Sequence, residues 1–570
     1  MGNPRIFLFV ALGFISLLLW QEWQQAYGPQ PLAAPVSRGQ APNTPPVNQA
    51  GGGTAPSDSN QEELPALSRD SSLTAMPATV SGGVQPSAER AAAVKKIHVL
   101  TDKLEVFIDP QGGEISAVYL RAYPAKQAEP EVPFELLHKE AGRSYVAQSG
   151  LLSRQSAPSH LQRYAYEKNE YRLAEGEEEI RVPLSWQSGT GLKVSKTIVF
   201  RRGTHVIDIE YQLDNQSDTA WQGRQYRQLV RTPSGEGGSA LMAAAFNGAA
   251  YYSEKDKFEK ISFEDIDDNP LSVDVKGGWV AMLQHYFISA WIPAADEINQ
   301  FYTRKIKSGG RYAIGMISSE IRVDPGQRGT FTSRFYAGPK EQSVLEDLAT
   351  GLRLTVDYSW LTIIAQPIFW LLTFIHDNVV DNWGWSIVIL TLLIKLMFFK
   401  LSEYGYRSMA NMRRVQPKLM SIKERYGNDK QQMQKAMMDL YKKEKINPMS
   451  GCFPILLQIP VFIALYWVLL ESVELRQAPF ILWITDLSVA DPYFVLPLIM
   501  GITMYLQQKL NPAPLDETQK MIMKYLPFVF TIFFLFFPAG LVLYWVVNNI
   551  LSITQQWIIT RRIEGGSVKS

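Results

Sequence analysis

Six apolar runs crowd the last third of the chain, at residues 360–375, 383–399, 452–470, 493–506, 521–537 and 541–559. Runs of this length and density suit a lipid-embedded bundle. In lipid every backbone N–H and C=O must be satisfied within the protein, so the spanning elements are expected to be helices. Only Pro538, Ala539 and Gly540 separate the last two runs, which therefore read as a helical hairpin. Hydrophobic residues make up 46% of the chain, an ordinary value for a soluble protein. The average hides their concentration at the two ends.

The N-terminal end holds the other apolar block. Residues 6–20 carry no charge, Arg5 precedes them, and Trp20 and Trp23 follow as an interfacial pair. No small-residue cleavage site follows closely, so residues 1–27 read as a retained anchor rather than a cleaved signal peptide. Either reading exports what comes next. Residues 28–94 are rich in Pro, Gly, Ser, Ala and Gln and bury too little apolar surface to offset ordering, so they are expected to form a flexible linker. From Lys95 the pattern changes to period two. LEVFID (104–109), the turn PQGG and EISAVYL (114–120) alternate, as do LKVSKTIVF (192–200) and HVIDIEYQL (205–213) around RRGT. Strands joined by glycine-containing turns predict a β-sandwich over 95–345.

Charge sets the expected topology. Residues 407–445 carry eleven Lys or Arg and four acidic residues, Glu424, Asp429, Asp439 and Glu444, which places this segment in the cytoplasm. An odd number of crossings must then separate it from the exported sandwich, although two apolar runs lie between. Residues 360–375 hold Gln366 and Pro367 at their middle, with Trp360, Trp370 and Phe374 as interfacial aromatics, so 346–380 is expected to lie along the membrane surface. Crossings follow at 381–405, 450–475, 492–510, 521–538 and 540–560. A cytoplasmic helical hairpin fills 406–449, and a cytoplasmic tail fills 561–570. With the anchor this makes six spans and two cytoplasmic termini.

Lys395 is the sharpest functional signal, because a lysine well inside an apolar run costs about 2.5–3.5 kcal/mol to insert at mid-bilayer. One reading is a cation facing a wet cavity between helices. The other is a lysine near the cytoplasmic end that snorkels to the headgroups. Thr391, Gln458, Asn548, Asn549, Thr554 and Gln555, with Gln507 and Gln508 near a cytoplasmic end, either line that cavity or make ordinary interhelical hydrogen bonds. In the hairpin, Met409, Met412, Leu419, Ile422 and Tyr426 follow helical spacing. Gly427-Asn428 supplies a stop and Asp429 a new N-cap. Met433, Met437, Leu440 and Tyr441 form a second stripe. Methionine-rich stripes offer an adaptable surface to varied apolar clients, or simply pack on each other.

Much else is disfavoured. The single cysteine, Cys452, rules out an intrachain disulfide and multi-cysteine zinc sites. A net charge of +1 disfavours specific nucleic-acid binding. The scattered histidines show no metal spacing, and no phosphate-cradling or nucleophile-elbow motif stands out, so no metal, cofactor or catalytic residue is expected.

The segments NPMSGCFPILLQIPVFIALYWVL (447–469), SVELRQAPFILWITDLSVADPYFVLPLIMG (472–501) and FPAGLVLYWVVNN (537–549) closely resemble the YidC/Oxa/Alb insertase family. The exported domain is similar to that of the Gram-negative form, a mutarotase-like sandwich. The resemblance implies a non-enzymatic protein of the inner membrane. It would insert integral membrane proteins and help them fold, alone or with the Sec translocon, through a hydrophilic intramembrane groove. Implied partners are nascent integral membrane proteins, the Sec translocon, the ribosome and the lipid bilayer. The groove cation falls at Lys395, where the family usually has arginine; charge is kept and the bidentate fork is lost. Thr391, Gln458 and the pair Tyr544-Trp545 match other groove-region positions, with Trp545 where tyrosine is common, and Asn548 is expected to join them as a groove or client-binding residue. Two other readings of the residues stay open, a secondary transporter or channel using Lys395, and a membrane-anchored exported carbohydrate-active enzyme.

Overall fold

Alternation becomes strand wherever one face finds a core. In strand Leu104–Asp109, Leu104, Val106 and Ile108 are buried and the residues between them are partly exposed. The chain reverses through Gly112 (φ +76°) and Gly113 (φ +56°), left-handed conformations that favour glycine. A Cβ on Gly112 would lie 2.4 Å from the His160 carbonyl oxygen, so no other residue fits without displacing backbone. Strand Glu114–Lys126 then pairs antiparallel with its predecessor, across a register shift at Phe107 and Ile108.

The structure is a computed structural model describing residues 64–65, 95–233, 246–307, 309–426, 429–444, 453–511 and 517–566. The anchor, nearly all of the linker and Cys452 lie outside them. The described residues divide into two units, one formed by residues 64–357 with 471–474 and the other by residues 358–470 with 475–566.

The first unit is a sandwich of an 11-stranded and a 9-stranded sheet. The larger sheet runs from edge strand Ser272–Lys276 through Ile298–Ile306, Arg311–Ser318, Trp221–Arg231, Arg143–Ser153, Glu129–Glu140, Glu114–Lys126, Leu104–Asp109 and Ile97–Leu100 to Glu170–Arg172, with Ile321–Val323 pairing off this path. Most pairings are antiparallel, and Ile97–Leu100 with Glu170–Arg172 is parallel. In the smaller sheet Val206–Asn215 sits between Leu192–Arg201 and Arg328–Pro339. Ile198, Phe200, Tyr211, Trp291, Phe301 and Leu229 belong to one continuous core. Lys196 is fully buried on strand Leu192–Arg201, and its Nζ donates to the carbonyls of Gly112 and Gly113, both at 2.9 Å. Burial pushes this amine down to about 7.

The second unit is helical. Helix α1 (Thr362–Asn378) buries Ala365, Ile368, Leu372 and Ile375 and leaves Ile363, Trp370 and Phe374 exposed around them, with exposed Trp360 in the turn before it. Helix α2 (Trp383–Met397) starts at Asn382, whose side chain accepts from the Trp385 amide. It ends at Phe398, ahead of the 405/406 boundary read from the sequence. Helix α3 (Phe399–Tyr426) leaves at 68° to it. Helix α4 (Lys430–Lys443) begins at Asp429, whose carboxylate accepts from the Gln431 and Gln432 amides at 3.0 Å. Then come α5 (Phe453–Glu471), α6 (Val495–Leu510), α7 (Glu517–Phe534) and α8 (Ala539–Gly566). Among the described residues no single helix is long and apolar enough to cross a membrane; α2 and α3 pass that test only together, as a bent pair.

Candidate functional site

Helix α8 is the hub of the helical unit, packing on α2, α3 and α6. Its polar residues recur at helical spacing, so they fall on the faces it turns to its neighbours. Asn549 Nδ2 donates to Thr503 Oγ1 on α6 at 3.1 Å. Gln555 Nε2 donates to the Phe399 carbonyl at the break between α2 and α3, at 3.4 Å. Gln556 Nε2 reaches the Leu510 carbonyl and Asn511 Oδ1 beyond α6, at 3.1 and 3.2 Å. These bonds fix the angle between apolar surfaces that otherwise offer little directional preference.

Lys395 lies inside this polar seam. It is 6% exposed, and its Nζ donates to Ser552 Oγ on α8 at 2.7 Å. Ser552 Oγ in turn donates to the Asn548 carbonyl one turn earlier, at 2.6 Å. The ammonium thus ends on a hydroxyl between two helices. Among the described residues no carboxylate forms an ion pair with it. A buried cation held by one neutral acceptor is only partly compensated.

The other expected site residues divide into groups. Thr391 is buried one turn from Lys395 on α2, and its hydroxyl bonds back to the Ile387 carbonyl at 2.6 Å. Tyr544 and Trp545 begin α8 in an aromatic cluster with Phe462 of α5, at ring distances of 6.1 and 4.6 Å. Trp545 also meets Phe530 and Phe534 of α7. Gln458, half-buried, lies one turn before Phe462 on α5. Asn548 joins the Lys395 group through its backbone. Thr554 is exposed and bonds its own helix. Sequence reasoning missed Ser552, Thr503 and Gln556, although Ser552 sits at i+4 from Asn548 and i+3 from Asn549.

In the hairpin, Met412 and Met437 pack with Leu440 against Val415, Leu419 and Tyr441, so these two methionines join the hairpin together. Met409 and Met433 are half-buried outside that cluster.

The segment between α5 and α6 is held by carboxylates. Buried Asp491 accepts from Trp483 Nε1 (3.1 Å), the Tyr493 amide (3.0 Å) and the Leu496 amide (2.8 Å). It thereby serves the first turn of α6, whose own N-cap position, Phe494, supplies no side-chain bond. The same segment caps α8, since the Ala539 and Gly540 amides donate to the Val489 and Leu487 carbonyls at 2.7 and 2.9 Å.

The described residues thus form a β-sandwich unit and an apolar helical unit in which the buried Lys395 ammonium rests on the Ser552 hydroxyl. Among the described residues no group of His, Cys, Asp or Glu could hold a metal. A family model described as the YidC periplasmic domain matches residues 96–371, and one described as the 60Kd inner membrane protein matches residues 374–566. The membrane protein insertase YidC of Thioalkalivibrio sulfidiphilus is 50% identical, with 100% of each chain covered. Among solved structures, an active YidC insertase with its first transmembrane domain resolved aligns at TM-score 0.38 and 16% identity, covering 81% of this chain and 92% of that one. A galactose mutarotase-like protein from Lactobacillus casei aligns at TM-score 0.30 and 8% identity, covering 42% of this chain and 99% of that one. The chain belongs to the YidC membrane protein insertase family. It is an inner-membrane insertase with a periplasmic domain, its activity is not enzymatic, and the transporter and carbohydrate-enzyme readings fall away.

Proposed function

We propose that Lys395 is the cationic element of a hydrophilic groove that receives the polar flank of a client segment during insertion. The observation that carries this is the buried ammonium resting on the Ser552 hydroxyl without a carboxylate partner among the described residues. Such a cation gains most from an acidic group brought to it, because low dielectric strengthens the attraction. The client's apolar segment then moves along α5 and α8, past Gln458, Tyr544 and Trp545, into lipid. Burial in the acyl region drives that step, at roughly 25 cal/mol per Å² of apolar surface. No nucleotide or cofactor takes part.

The topology inferred is six crossings with both termini in the cytoplasm and residues 346–380 along the outer membrane surface. The basic segment 407–445 and the exposed aromatic face of α1 support it. On this arrangement the α3–α4 hairpin faces the cytoplasm, where Met409 and Met433 offer client contacts and its basic residues meet anionic lipid or a ribosome. Clients emerging from the Sec translocon enter by the same groove. Replacing Lys395 with glutamate while following insertion of a client with an acidic flank by protease protection tests this. Loss of insertion with Lys395→Glu and retention with Lys395→Arg is the expected result, and equal insertion by both sinks the proposal.

A further inference from the structure

The face of the 11-stranded sheet turned away from the sandwich core is itself furnished. On its central strands Tyr226, Tyr302 and Ile317 are buried together. They sit where glycine leaves room, since a Cβ on Gly315 would lie 2.6 Å from the Tyr302 hydroxyl and one on Gly150 would lie 2.7 Å from that of Tyr226. Beside the tyrosines runs a polar relay across the sheet. Lys139 pairs with Glu114 (2.7 Å), Glu114 accepts from Gln148 (2.6 Å), and Gln148 accepts from Gln228 (2.7 Å). Gln228 Oε1 accepts from the Tyr302 hydroxyl at 2.8 Å and from Arg304 at 3.2 Å. The relay holds the Arg304 guanidinium through Nη2, and Nη1 is also a donor.

That donor is taken by the carbonyl of Leu64. The Leu64 side chain packs on the Tyr226–Tyr302–Ile317 cluster beside Leu152, and Pro65 is buried. Leu64 and Pro65 lie in the stretch whose composition reads as a flexible linker, and they belong to the sandwich unit. We propose that this outer face is a binding site for a short extended Leu-Pro segment, and that its occupant is the chain's own linker at Leu64–Pro65. Arg304 reads the backbone carbonyl, the tyrosine floor takes the leucine, and proline limits the entropy lost on docking.

The consequence is a second, non-covalent junction between linker and sandwich. About thirty residues separate Pro65 from Lys95, a loop whose closure cost grows only slowly with length. The effective concentration of the segment at its site is then in the millimolar range, so a weak intrinsic affinity suffices.

The test uses the full-length protein in membranes, with a photo-crosslinking amino acid in place of Leu64 and a second probe position at Leu73 for comparison. The expected result is an intramolecular adduct from position 64 mapping to the strands that carry Tyr226, Tyr302 and Ile317, at least about tenfold above that from position 73. Arg304→Gln is expected to reduce it about tenfold, with the sandwich shown intact by its protease resistance. Equal, scattered adducts from both positions, or adducts from position 64 only to a second copy of the chain or another protein, overturn the proposal.

Discussion

The Lys395 ammonium donates to the Ser552 hydroxyl at 2.7 Å across the interface of α2 and α8. One contact thus couples the only lysine of α2 to a helix that also packs on α3 and α6. Ser552→Ala removes the acceptor and leaves a buried cation without it, at a cost of about 1–3 kcal/mol. Thermal unfolding in detergent is expected to shift down, and Lys395→Met in the Ser552→Ala background should recover part of the loss. Additive losses in the double variant count against the coupling.

Asp491 holds three donors at once, among them the first-turn amide of Leu496. Asp491→Ala is expected to destabilise the α5–α6 connection and the first turn of α6, by about 2–4 kcal/mol. Limited proteolysis should then cut between residues 476 and 494 before any other described segment of the helical unit. Unchanged cleavage order speaks against the capping role.

Lys196 yields a pH dependence. Its folded-state value, about 7, lies below the unfolded value near 10.5. Between those values the unfolded chain binds the extra proton and the folded chain does not, so this residue makes sandwich stability rise with pH from about 7 to 10. Below pH 7 the full cost of charging the buried amine is present. Lys196→Met should flatten the rise and stabilise the sandwich most at the acid end, as read by calorimetry from pH 6 to 10. A parallel offset at every pH contradicts the assignment. A neutral amine has two N–H groups for two carbonyls, those of Gly112 and Gly113, which suits the neutral form.

The hairpin methionines should separate by position. Met412→Ala and Met437→Ala take atoms from the cluster with Val415, Leu419 and Tyr441 and are expected to cost about 1–3 kcal/mol of hairpin stability. Met409→Ala and Met433→Ala should leave helicity and protease resistance unchanged and instead weaken crosslinking to apolar clients. Four indistinguishable variants remove the distinction.

Features written in local sequence were readable. Strand Leu104–Asp109, the glycine turn after it and strand Leu192–Arg201 follow from alternation and φ requirements, and Asp429 caps α4 as its position before a polar, helix-forming run implies. Lys395 stood out because charge within an apolar run is costly. What depends on distant partners was not readable. The break at Phe398 has neither glycine nor proline beside it, and α3 continues in helix-compatible sequence. Ser552 resembles the other hydroxyl and amide residues of α8 until α2 is placed against it. The pairing of strand Arg143–Ser153 with Trp221–Arg231 joins segments far apart in the chain. Leu64 acquires meaning only through Arg304.

The most direct measurement places photo-crosslinking residues at Gln458 and Trp545, with a control at the exposed Gln222 of the sandwich, and presents a stalled nascent chain bearing one transmembrane segment. Strong adducts from positions 458 and 545 to that segment, with little from 222, are the expected result for an insertion path along α5 and α8. A client that inserts fully while neither position captures it would contradict the path, and with it the role assigned to Lys395.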